Sequence, residues 1–68
     1  MHEVATLRFS DVTTGGESLA IIRAADGLIG ICLSSLDDGD VEVFLAPNST
    51  RQLIAALQAA QEMASGAR

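Results

Sequence analysis

Polar and apolar positions alternate cleanly in Val4–Ser10, VATLRFS, where Ala5, Leu7 and Phe9 fall on one side and Thr6, Arg8 and Ser10 on the other. Period-two alternation of this kind predicts a strand with one wet face. DVTTGGE follows, and its Gly15-Gly16 pair marks a hairpin loop. The next two apolar runs, LAIIRA at Leu19–Ala24 and LIGICLS at Leu28–Ser34, do not alternate. They are joined by Ala25-Asp26-Gly27, so a tight turn and two further strands are predicted. A second Asp-Gly signal in SLDDGD precedes a fourth strand, VEVFL at Val41–Leu45.

The period then changes. Leu53, Ile54, Leu57, Ala60, Gln61 and Ala64 recur at helical spacing and form one apolar stripe interrupted by Gln61. Pro47 suits a helix entrance, Asn48 or Ser49 is the expected cap, and Gly66 is a plausible stop. The helix is expected over about residues 48–64 and the strands over about 4–10, 19–24, 28–34 and 41–45.

Short links between consecutive strands mean an antiparallel meander. The expected fold is therefore α+β, a ββββα chain that forms one domain over residues 1–68, with the helix packed on one face of the sheet. The expected core is Leu7, Phe9, Ile21, Ile29, Ile31, Leu33, Val43, Leu53, Ile54 and Leu57.

The two non-alternating strands raise a problem, because one helix covers one face. The uncovered face carries Ala20, Ile22 and Ala24, or Leu28, Gly30 and Cys32, according to register. Left wet, such a patch exceeds what soluble monomers usually tolerate. A chain of 68 residues is also marginal as a monomer. One Cys makes no internal disulfide, and one His with one Cys makes no four-ligand zinc site. A homodimer is therefore expected, with those six residues as its face. Sheets stacked across a two-fold axis are the first geometry, and edge-strand pairing is the second.

Charge narrows the possible partners. The net charge is −5, and residues 26–42 hold Asp26, Asp37, Asp38, Asp40 and Glu42 with no basic residue. The remaining four acids are matched by four arginines. An acidic field repels phosphate and anionic membranes and favours basic partners. No apolar run is long enough to cross a membrane as a helix, and no signal peptide is read at the N-terminus. Cytoplasmic localisation is the expectation.

The chemistry-bearing residues are few. His2 sits at the terminus, Cys32 lies among apolar neighbours, and Gly15-Gly16 lacks phosphate-loop spacing, so no enzyme and no cofactor are expected. Asp37, Asp38, Asp40 and Glu42 lie within six residues, which suggests a divalent cation, but their spacing is not that of an EF-hand loop. The same four residues suit an acidic hairpin that docks on a basic protein surface. That reading, a small non-enzymatic homodimeric interaction or regulatory module of inhibitor or adaptor type, is the first expectation.

The strand order and the junction VEVFLAPNSTRQLIAAL resemble the small dimeric single-stranded-DNA-binding fold of transcription coactivators and their phage relatives. The resemblance implies a single-stranded nucleic-acid-binding dimer, for which Arg8 and Arg23, if they share a strand face, are a thin basic footprint. Such modules use a basic groove and stacking aromatics. Two Phe and an acidic hairpin place this second, and the cation-binding hairpin third.

Overall fold

A computed structural model describes residues 1–35 and 39–66. It contains β1 (His2–Ser10), β2 (Glu17–Ala25), β3 (Leu28–Ser35), β4 (Gly39–Leu45) and α1 (Pro47–Ala64). The strands form one antiparallel sheet in chain order, β1-β2-β3-β4. The architecture is thus α+β, with four antiparallel strands followed by one C-terminal helix.

Register decides the faces. Residues directly opposite one another on neighbouring antiparallel strands project to the same side. Ala25 pairs with Leu28 across the two-residue turn Asp26-Gly27, and this sets the ladder for β2 and β3. Three ranks of side chains then cross the sheet on one face. They are Leu7, Ala20, Leu33 and Val41; Ala5, Ile22, Ile31 and Val43; and His2, Ala24, Ile29 and Leu45. All but His2 are hydrophobic.

The other face carries Arg8, Leu19, Ser34 and Asp40; Thr6, Ile21, Cys32 and Glu42; and Glu3, Arg23, Gly30 and Phe44. Ile21, expected in the core, stands here between Thr6 and Cys32. Ile22 takes the apolar-face position instead.

A β-bulge between Glu3 and Ala5 protects this segregation. Strict alternation from Phe9 through Leu7 and Ala5 would set Glu3 on the apolar face. The bulge absorbs Val4, so Glu3 pairs opposite Arg23 on the polar face, where its Oε2 accepts a 2.6 Å hydrogen bond from the Thr6 hydroxyl.

The helix does not cover either face of its own sheet. It approaches only β3 and β4, and among its residues Thr50 alone is even half-buried. Leu53, Ile54 and Leu57, expected in the core, are 37%, 49% and 61% exposed. The cause lies in the corner. A single residue, Ala46, links β4 to α1, and the proline that follows it excludes the helical region for that residue. Ala46 is accordingly extended, at φ −75° and ψ 157°. Folding a helix back over its own sheet needs a loop of several residues.

The same proline starts the helix one residue early, at Pro47. Asn48 and Ser49 therefore fall inside the first turn, the N-cap is Ala46, and no side chain caps it. The helix opens instead with Thr50 N–H donating to the Ala46 carbonyl at 3.0 Å, and the Thr50 hydroxyl donates to the same oxygen.

Among the described residues no hydrophobic side chain is buried. The molecule measures 36 × 32 × 16 Å with a radius of gyration of 13.6 Å, against about 11 Å for a compact chain of this length. Its accessible surface, 5280 Å², exceeds that of a compact monomer of this mass by about 1,200 Å².

The Asp26-Gly27 turn places its positive φ on Gly27 alone, at +75°, so it is not the type I′ turn in which both central residues are left-handed. An added Cβ would meet nothing within 4 Å, so the cost of one there is conformational and not steric. Gly27→Ala is expected to lower stability by roughly 1 kcal/mol, read as a reduced urea midpoint at unchanged slope.

Candidate functional site

The residues of interest fall on the two faces. The six expected to make one dimer face do not share one. Ala20, Ile22 and Ala24 lie on the apolar face, whereas Leu28, Gly30 and Cys32 lie on the polar face. Because Ala25 pairs with Leu28, even positions of β2 meet odd positions of β3, and the apolar partners of Ala20, Ile22 and Ala24 are Leu33, Ile31 and Ile29. Leu33 is one of the residues expected in the core. In the structure it is 51% exposed.

The apolar face is therefore broader than any single strand suggests. It runs over all four strands, with Leu7, Phe9, Val41 and Val43 all substantially exposed. At the end of the sheet away from the helix, a shallow, mainly apolar depression of about 230 Å³ is lined by Phe9, Leu33, Gly39 and Val41 of this face, by Ser18 and Ser35, and by Leu19 and Ser34 of the other face. This continuous face could be found only by pairing the strands. The signal was present in the two-residue spacing of the Asp26-Gly27 turn.

The polar face pairs both of its arginines and keeps a surplus of carboxylates, Glu3 and Asp40. Arg8 Nη1 donates to Glu17 Oε2 at 3.1 Å, and Arg23 Nη1 donates to Glu42 Oε2 at 2.9 Å. The second pair spans β3, since Arg23 stands opposite Gly30 and Glu42 opposite Cys32. Ser34 Oγ donates to Asp40 Oδ1 at 2.6 Å. Both arginines that the coactivator resemblance would place on phosphate are thus already matched by carboxylates.

Gly30 is buried, the one such residue among those described. A Cβ there would lie 3.2 Å from the Phe44 ring and 3.4 Å from the Met1 methyl. The glycine leaves room for the ring to lie close to the sheet, a recognised way of covering a strand glycine. Phe44 is nonetheless 55% exposed. Cys32 is half-buried between Ile21 and Glu42 on the neighbouring strands.

Of the acidic hairpin, Asp40 and Glu42 share the polar face. Asp37 and Asp38 lie outside the described residues. Among the described residues no three His, Cys, Asp or Glu side chains gather where a metal ion could sit, and no helix is long and apolar enough to cross a membrane.

The β1–β2 loop is held by Asp11. Its Oδ1 accepts from Thr13 N–H at 2.8 Å and from the Thr13 hydroxyl at 2.6 Å, and Gly15 N–H donates to its carbonyl at 2.7 Å. The Thr13 hydroxyl, then the Thr13 amide, stabilise the carboxylate and hold its pKa below the ordinary value of 3.8.

Comparison with protein-family models, with curated proteins and with solved structures finds no match to this chain.

A carboxyl group with a lowered folded-state pKa stabilises the fold fully above its unfolded value, and that contribution is lost as pH falls through the folded one. Asp11→Asn is therefore expected to be less stable than the parent chain at neutral pH. The gap should close in acid below 3.8, the ordinary value. Denaturant unfolding of both proteins across that range reads the difference.

Proposed function

We propose that this protein is a small, acidic, non-enzymatic homodimeric interaction module, in which each copy shields the apolar sheet face of the other and the polar face meets a second, basic protein. One observation carries the reading. The entire apolar face, three ranks deep across four strands, is left uncovered by the chain's own helix. A surplus of about 1,200 Å² per chain gives about 2,400 Å² for two copies, within the range of obligate homodimers.

The edges are poorly suited to association. β1 is bulged near its start, and β4 presents Asp40 and Glu42, which would meet their own copies or each other in a two-fold pairing of that strand. Bulges and edge charges are the usual means by which sheets avoid edge-to-edge pairing. Face packing is therefore favoured over edge pairing.

The partner's chemistry follows from charge. The net charge is −5, and the acids of residues 37–42 exceed what Arg23 neutralises. Charge complementarity of this kind steers association more than it sets affinity. The neutralised arginines favour a protein over a nucleic acid as the object of that steering, and an oligonucleotide gel shift provides the check. A salt-dependent shift abolished by Arg8→Ala and Arg23→Ala would transfer the reading to single-stranded nucleic acid.

Two outcomes test the proposal directly. Light scattering at micromolar concentration is expected to give twice the chain mass, and a single-chain mass removes the dimer. Val43 is 49% exposed in the single chain, so Val43→Arg on a monomer should change stability by no more than about 0.5 kcal/mol. In a dimer it places an unpaired charge in the interface, and a loss of more than about 2 kcal/mol is expected, together with dissociation.

The steering role is read with a basic polypeptide probe such as polylysine. Asp37→Asn, Asp38→Asn and Asp40→Asn together should weaken binding more than Asp11→Asn, Asp26→Asn and Glu62→Gln together, although both triples remove the same charge. Equal weakening would mean that net charge alone is read.

A further inference from the structure

Resting on the homodimer reading, we infer that the occupant of each apolar sheet face is the helix α1 of the second copy, exchanged reciprocally. Two unsatisfied apolar surfaces exist in one chain. The first is the three-rank sheet face. The second is the stripe of α1, where Leu53, Leu57 and Ile54 lie together with Ala56, Ala60 and Ala64 and are interrupted by Gln61, while Arg51 and Glu62 fall on the opposite side of the helical wheel. Stacking sheet on sheet buries the first surface and leaves the second in water. Pairing the two helices does the reverse. Laying each helix on the other copy's sheet buries both.

The dimensions agree. An 18-residue helix is about 27 Å long, and strands of seven to nine residues run about 24–30 Å. The alanines of the stripe permit close approach of the helix axis to the sheet. The chain's own helix is kept off its own sheet by the extended Ala46 before Pro47, the same short hinge that favours exchange between copies over closure within one. The complement of the sheet face is thus built into every chain, but at a position only another chain can use.

Cross-linking separates this from a stacked-sheet dimer. Two differently tagged chains, both carrying Cys32→Ser, are mixed, unfolded and refolded together. One carries Leu57→Cys and the other Val43→Cys. A short bis-maleimide is expected to join the two different chains in preference to linking two Val43→Cys chains. Preferential linkage of Val43→Cys to itself overturns helix exchange while leaving the homodimer standing.

The second measurement lengthens the hinge. Inserting Gly-Ser-Gly-Ser between Leu45 and Ala46 lets the helix reach its own sheet, so the dimer dissociation constant is expected to rise by about tenfold or more through intramolecular competition. An unchanged constant in a folded insertion variant also overturns the exchange. A monomeric parent chain instead removes the homodimer reading on which the exchange rests.

Discussion

One backbone restriction governs the molecule. Pro47 disfavours the helical region for its predecessor, Ala46 is extended, and this one residue separates β4 from a helix that approaches only β3 and β4. Were Ala46 free to turn and the link a few residues longer, an amphipathic helix of this length would close over the apolar ranks of its own sheet. The result would be an ordinary two-layer α+β domain. As it stands, the molecule is 16 Å through its thin dimension and its helix is exposed at every residue but Thr50.

The energetic consequence is direct. A fold of this size draws its stability from apolar burial, and here no hydrophobic side chain among the described residues is buried within the chain. The polar interactions do not compensate. The two ion pairs are partly or largely exposed, and pairs of that kind are individually weak. Their arrangement matters more than their strength. They gather charge on one side of the sheet, and the β1 bulge keeps Glu3 with them, so among the described residues the three ranks on the opposite side carry no carboxylate. In the proposed dimer, that segregation lets association and stability come from the same surface, while the polar face and its acids stay available for a second partner.

The functional reading is therefore about surfaces and not reactive groups. Cys32 is half-buried on an inner strand, and Arg8 and Arg23 are each paired with a glutamate. An order of four strands and a helix does not by itself fix a function, and phosphate binding needs a positive groove. The excess acids point the same way, toward a basic protein surface.

The order of elements was legible in the chain because each carries a local signal. Alternation in VATLRFS, the Asp26-Gly27 turn and the helical spacing of Leu53, Ile54 and Leu57 depend only on near neighbours. The net charge and its concentration in residues 26–42 were equally plain. What escaped was non-local. Whether Ile21 or Ile22 faces the apolar side depends on pairing with Cys32 or Ile31 across a turn. The placement of Glu3 depends on a bulge that strict alternation does not anticipate. The helix position depends on one φ/ψ pair at Ala46, and a hydrophobic stripe reads the same whether it covers its own sheet or none. Periodicity reports that a surface must be hidden. Only the assembled register and the direction of the backbone at its corners decide whether the chain has anything to hide it with.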